Sequence, residues 1–128
     1  MNKATVRAFV DAFNRGDFEA VGKLCTEDVK IQGVPGQAGF AAAASIWREL
    51  HEAYNLQLDV EDMVGEGSIV AVRLNEQGTF TRPFRGLQPT GKSYTLVAIE
   101  WFHLRDGKIA AHWGARDSAS MMKQLGVA

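Results

Sequence analysis

The sequence predicts an α+β domain in which a curved antiparallel sheet packs against three N-terminal helices and encloses one pocket. Three observations carry this. Apolar residues recur at helical spacing as far as Tyr54, and from Leu56 onward they alternate with a period of two. Breaks rich in Gly and Pro interrupt the second half, where a sheet needs its turns and bends. Helices and strands segregated along a chain give an α+β arrangement rather than alternating units. All 128 residues read as a single domain, with no repeat or linker.

Val6, Phe9, Val10 and Phe13 stand at i, i+3, i+4 and i+7, one apolar helical face, with Asn2 available as a cap. Asn14-Arg-Gly16 closes this helix, the Gly suiting a left-handed terminal position. Asp17 caps a second, short helix carrying Phe18, Val21 and Leu24. Asp28 to Gln32 reads as a strand and Gly33-Val-Pro-Gly36 as a loop. A third helix runs from about Ala38 to Tyr54, with Phe40, Ala44, Trp47, His51 and Tyr54 on one face. His51 and Tyr54 either aim their polar tips into a cavity or end the helix with a backbone hydrogen bond.

Leu56, Leu58 and Val60 begin a strand that turns at Gly65-Glu-Gly67. Ser68 to about Thr81 is the next strand, with Val70, Val72 and Leu74 in phase. Thr81 to Gly91 is a break, and Lys92 to Leu104 is a long apolar strand. Asp106-Gly107 between two apolar runs is a strong hairpin signal. Ser118 to Leu125 closes the chain as a helix with Met121, Met122 and Leu125 apolar.

The hairpin holds the candidate chemistry. Val97, Ile99, Trp101 and His103 share one strand face. Ile109, Ala111, Trp113 and Ala115 share another, with Asp117 in phase. Where these form one face of the sheet, His103 and Asp117 meet across an aromatic-walled concavity as a candidate acid/base pair. The other reading makes the hairpin ordinary core and Asp117 the N-cap of the last helix. Trp47, Phe80, Trp101 and Trp113 are candidates to wall the pocket and stack a flat substrate. Arg82, His51 and Tyr54 are candidate polar contacts, although Arg82, beside Pro83, also reads as a solvated turn residue. His112 alternates out of this face and reads as structural. Tyr94 and Glu100 point away from His103, which leaves Glu100 to pair with a basic group at a dimer interface. Leu96, Ala98 and Phe102 also alternate away from the His103 face, so the strand is apolar on both sides. Such a strand is covered on both sides, and a homodimer through the outer sheet face supplies the cover.

Fourteen basic and 15 acidic residues are interspersed and the net charge is −1, which gives no basic stripe for nucleic acid. No apolar run approaches the length that crosses a membrane, and the N-terminus lacks the apolar core of a signal peptide. The single cysteine, Cys25, forms no internal disulfide and sits on an apolar helical face as a small hydrophobe. A cytoplasmic location is expected. Three His without clustered carboxylates build no metal site, phosphate-loop and nucleotide fingerprints are missing, and no cofactor is expected.

The order of elements, with Gly-Thr (78–79), Pro-Thr-Gly (89–91), Asp-Gly-Lys-Ile (106–109), His-Trp (112–113), Asp117 and Gln-Leu-Gly (124–126), resembles the SnoaL-like polyketide cyclases of the nuclear-transport-factor-two-like superfamily. Val6 to Phe18 is similar to that superfamily's first helix and turn. The resemblance implies a cone-shaped fold and a cofactor-free intramolecular aldol condensation on an apolar, carbonyl-bearing small molecule. It also implies that Asp117, after His-Trp, is the acid/base, with His103 lining the same pocket. This sequence departs from the family at Phe80, where a His is common, and at Ala111, where a Glu is usual. Two further readings stay open: a non-catalytic small-molecule-binding dimer of the same fold, and an epoxide hydrolase-like enzyme built on Asp59, Glu61 and Arg82.

Overall fold

The computed structural model describes residues 1–33 and 36–127. Helices α1 (Asn2–Asn14) and α2 (Phe18–Lys23) lead into strand β1 (Cys25–Gly33) and a short β2 (Gly36–Ala38). Helix α3 (Phe40–Tyr54) follows, then β3 (Gln57–Glu66), β4 (Ile69–Thr79), β5 (Ser93–Arg105), β6 (Lys108–Arg116) and α4 (Ser118–Leu125). Val34 and Pro35 of the expected loop lie outside the described residues; Gly33 and Gly36 on either side pair with each other as strand ends.

The strands form one sheet in the order β2-β1-β6-β5-β4-β3. Every neighbouring pair is antiparallel except β1 and β6, which run parallel, with Ile31 opposite His112. The sequence predicts antiparallel strands throughout, and the parallel pair of β1 with β6 departs from that expectation. The parallel partner is possible because β2, helix α3 and strands β3 to β5 intervene before the chain returns, and a parallel pair needs such a long connection. The Asp106-Gly107 turn has positive φ at both residues, 53° and 77°, the conformation that a two-residue hairpin requires.

The helices cover one face of the sheet. Val6, Phe9, Val10 and Phe13 of α1 are buried, as are Ala43, Ala44 and Tyr54 of α3. From the sheet they meet Val70, Val72 and Leu74 of β4 and Leu96, Ala98, Phe102 and Leu104 of β5. Asn14 locks the end of α1 to the sheet: its Nδ2 donates to the Leu58 carbonyl, and its Oδ1 accepts from the Leu58 N–H, both at 2.8 Å. Asp17 caps α2 through the Ala20 N–H.

The covered face of β5 is therefore the one bearing Leu96, Ala98 and Phe102, not the one bearing His103. Val97, Ile99, Trp101 and Trp113 are large apolar residues of the opposite face, each 43–55% exposed. The cross-strand register puts Val64, Ala71, Trp101 and Trp113 in one row across that outer face. The expectation that Trp101 and Trp113 share a face holds; that this face is the interior does not. Both faces of β5 are apolar, so alternation alone cannot say which one the helices cover. Ile109 also changes sides. His103 pairs with Ala111 but Leu104 pairs with Ile109, so Ala110 is an extra residue, and this bulge turns Ile109 into the core.

Candidate active site

Between the helices and the inner sheet face lies a cavity of about 570 Å³, within the range of small-molecule sites. Phe9 and Phe13 of α1, Ile46, Trp47, Leu50 and Tyr54 of α3, and Met121 and Met122 of α4 form its apolar wall. Glu100, His112, Gly114, Glu76 and Arg116 bring polar chemistry to it from the sheet. Phe84 and Arg85 reach it from the segment between β4 and β5. That segment is tied to α3 by Arg85, whose Nε and Nη2 both donate to Glu49 Oε2, at 2.9 and 2.7 Å.

Two polar groups stand on the inner sheet face. In the first, His112 Nε2 lies 2.8 Å from Glu100 Oε2. Both side chains are largely buried, 6% and 14% exposed. His112 is opposite Phe102 in register, and Glu100 is opposite Gly114. The pair is thus a diagonal one, which long side chains span. The imidazole stacks on Phe102 with centroids 4.5 Å apart and sits among Phe9 and Trp47. His112 Nδ1 is buried with no hydrogen-bond partner. A buried N–H without a partner is rare, so this environment assigns the proton to Nε2, which donates it to the Glu100 carboxylate. Oε1 of Glu100 is left without a hydrogen-bond partner among the described residues.

Gly114 makes this pair possible. A Cβ at that position would lie 2.5 Å from Glu100 Oε2, so the carboxylate occupies the space where any other residue's side chain would begin.

The second group is Glu76, Tyr94 and Arg116. Arg116 Nε donates to Glu76 Oε1 at 2.9 Å, and Nη2 donates to Glu76 Oε2. The Tyr94 hydroxyl also donates to Oε2, at 2.6 Å. Glu76 is 2% exposed, a burial that a carboxylate tolerates only when paired and hydrogen-bonded. Burial, and then the neighbouring Glu76 charge, push the Tyr94 hydroxyl far above its ordinary range. Burial alone would lower the Arg116 pKa, but the hydrogen bond and charge of Glu76 outweigh it and raise the net value.

The structure separates the residues singled out from the sequence. Trp47 and Tyr54 line the cavity; Tyr54 packs against Phe80, Phe84 and Tyr94, and burial raises its hydroxyl pKa. Phe80 is fully buried beneath Tyr54, part of the core rather than of the cavity lining. His51 lies against Phe18, its Nε2 3.4 Å from the Asn14 carbonyl, as a helix-end contact with backbone. Arg82 is exposed and outside the lining, as are Asp59 and Glu61, so the material for a hydrolytic site is not assembled. Trp101, Trp113 and His103 stand on the outer face, with the His103 ring edge-on to Trp113 at 5.9 Å. Asp117 is exposed, and its Oδ1 accepts from the Ser120 N–H at 3.0 Å, the N-cap of α4. The expected meeting of His103 and Asp117 in one concavity does not occur, because their strand phase is that of the outer face. In its place the cavity holds the residues that alternate the other way: Glu100 and His112 in one group, Glu76 and Arg116 in the other, backed by Tyr94. The available signal was a Glu and a Tyr inside a long apolar strand, on the face opposite His103.

Among the described residues no cluster of three or more His, Cys, Asp or Glu could hold a metal ion. Among the described residues no helix is long and apolar enough to cross a membrane.

The family profile described as SnoaL-like polyketide cyclase matches residues 3–125. The chain belongs to the SnoaL-like polyketide cyclase family. Its fold is close to that of several solved structures. IdmH of Streptomyces antibioticus, described as a candidate polyketide cyclase, is 27% identical, covers 99% of each chain and has a TM-score of 0.88. A candidate polyketide cyclase of Xanthomonas campestris is 29% identical over 97% of this chain and 96% of its own, with a TM-score of 0.85. AclR of Streptomyces galilaeus, described as a candidate hydroxylase, is 26% identical over 99% of this chain and 85% of its own, with a TM-score of 0.89. No curated protein matches the sequence. Cyclase and hydroxylase descriptions on one shared fold mean that the reaction must be argued from the cavity itself.

Proposed function

We propose that this SnoaL-like protein is a cofactor-independent acid–base enzyme acting on an apolar, carbonyl-bearing small molecule, with Glu100 as the proton-transfer group. The observation that carries the reading is the Glu100–His112 pair at 2.8 Å on the sheet side of a mostly apolar cavity. Oε1 of Glu100 removes a proton from a carbon next to a carbonyl, and the C–H electron pair becomes the enolate. In a ring closure the enolate carbon attacks a second carbonyl of the same molecule. The new alkoxide then takes the proton back from Glu100, so atoms and charge balance without any added reagent. His112 Nε2–H holds the carboxylate in place through both transfers. Phe9, Phe13, Trp47 and Tyr54 give the cavity an aromatic wall, against which the face or edge of an aromatic substrate packs. The acid/base role expected of Asp117 passes to Glu100, whose carboxylate shares the cavity with any bound molecule.

The exchange of the methyl protons of 2-acetylnaphthalene with D2O, followed by NMR, tests this. Glu100→Gln is expected to slow catalysed exchange by about 100-fold or more, the usual worth of a general base. An unchanged rate would remove Glu100 from the chemistry.

We also propose a homodimer through the outer sheet face, in the cytoplasm. The exposed row of Trp101 and Trp113 with Ile99 and Val97 supports it, since exposed apolar patches on a sheet mark contact surfaces. Trp101→Glu is expected to halve the sedimentation mass; an unchanged mass counts against this face.

A further inference from the structure

Arg116 has more donors than its partners use. Its Nε and Nη2 bond Glu76, and Nη2 also lies 3.1 Å from Met121 Sδ. Nη1, with two N–H groups, has no partner among the described residues. The side chain is 21% exposed and lines the cavity. Its charge is balanced by Glu76, which is itself fixed by the Tyr94 hydroxyl. The group therefore offers hydrogen-bond donors with no net charge, held in place by Glu76 and Met121.

From these contacts we infer that Arg116 Nη1 is a second binding station, for a neutral oxygen acceptor at the far end of the substrate. The inference deepens the reading above and rests on this cavity being the substrate site. The Glu100 carboxylate lies over Gly114, two residues before Arg116 on β6. The Arg116 arm crosses β5 to reach Glu76 on β4. Two residues along a strand and one to two strand spacings across it put the stations roughly 8 to 12 Å apart. A single ring does not span that distance; a rigid bicyclic or longer molecule with oxygen at both ends does, once a hydrogen bond is added at each end. The substrate class is thus an elongated, flat ketone with a second carbonyl, hydroxyl or ether oxygen opposite the reacting end. A carboxylate is disfavoured there, because Glu76 already balances the guanidinium.

The test uses three rigid probes with the intact chain: 2-acetylnaphthalene, 6-hydroxy-2-acetylnaphthalene and 6-acetyl-2-naphthoate, their binding followed by naphthalene fluorescence. The wild-type chain is expected to bind the hydroxy compound about fivefold more tightly than the parent, the effect of one ordinary hydrogen bond. The naphthoate is expected to bind no better than the parent. Arg116→Gln brings the hydroxy preference to one. Glu76→Gln, which leaves the guanidinium charge unbalanced, reverses the order and favours the naphthoate; it keeps the question open to measurement where Arg116→Gln does not fold. Equal binding of parent and hydroxy compound by the wild type overturns the inference. So do a preference that survives Arg116→Gln, a Glu76→Gln chain that gains nothing for the naphthoate, and failure of all three probes to bind. Methyl-proton exchange on the same probes reports on Glu100 separately. Hydroxy preference without exchange sinks the acid–base reading and leaves the Arg116 station standing; exchange without preference does the opposite.

Discussion

Gly114→Ala separates the proposed chemistry from stability. The Ala Cβ would stand 2.5 Å from Glu100 Oε2, 3.6 Å from its Cδ and 3.9 Å from His112 Nε2. Ordinary contact begins near 3.5 Å, so the carboxylate oxygen must retreat by roughly 1 Å. It is the end of a flexible side chain and can do so without moving the backbone. The retreat breaks the 2.8 Å bond to His112, at a cost of about 1.5 to 3 kcal/mol for a hydrogen bond to a charged group. Alanine in place of a strand glycine returns about 0.5 to 1 kcal/mol. The net loss of stability is therefore about 0.5 to 2.5 kcal/mol, a midpoint shift of a few degrees for a chain of this size. The effect on proton transfer is much larger, because a misplacement of about 1 Å costs on the order of 100-fold in rate. Thermal unfolding and methyl-proton exchange, measured on the same sample, read the two effects. The His112 ring signals in an NMR spectrum should shift as its acceptor leaves. Exchange at the wild-type rate in a folded Gly114→Ala chain, or an unmoved His112 signal, would refute the account of this pair.

Two further outcomes follow from the same contacts. Asp117→Ala removes the cap on Ser120 N–H and should cost about 1 kcal/mol in urea unfolding while leaving proton exchange intact; abolished exchange in a stable chain would return the acid/base role to Asp117. Tyr94 makes the protein sensitive to base. Its hydroxyl titrates above its ordinary value in the folded chain, first through burial and then through the Glu76 charge. The folded state therefore keeps a proton that the unfolded state releases near pH 10, and stability falls as pH rises beyond that point. Tyr94→Phe should lower the urea midpoint at pH 8, by loss of the bond to Glu76, yet lessen the further fall between pH 8 and 10.5. Parallel losses in both chains would remove Tyr94 as a source of that sensitivity.

Much of the architecture was legible in the residues because local rules decide it. The i, i+3, i+4, i+7 run from Val6 to Phe13 and the cap at Asp17 set the first two helices. Alternation and the Asp106-Gly107 turn set the last hairpin, and with it the fact that Trp101 and Trp113 share a face. The ordered motifs from Gly78 to Gly126 pointed to the SnoaL-like family. Asp117 as the cap of α4 was legible too, as the alternative to its chemical role.

The choice of interior was not legible. A period of two sorts β5 into Val97, Ile99, Trp101 and His103 against Leu96, Ala98, Glu100 and Phe102, and both sets are apolar enough to be core. Only the packing of α1 and α3, far away in sequence, decides between them, since the face that loses its water is the one the helices cover. The bulge at Ala110 and the empty place at Gly114 belong to the same level. Each depends on what stands across the sheet, so Glu100 and His112 became neighbours through register and a missing side chain that no run of sequence displays.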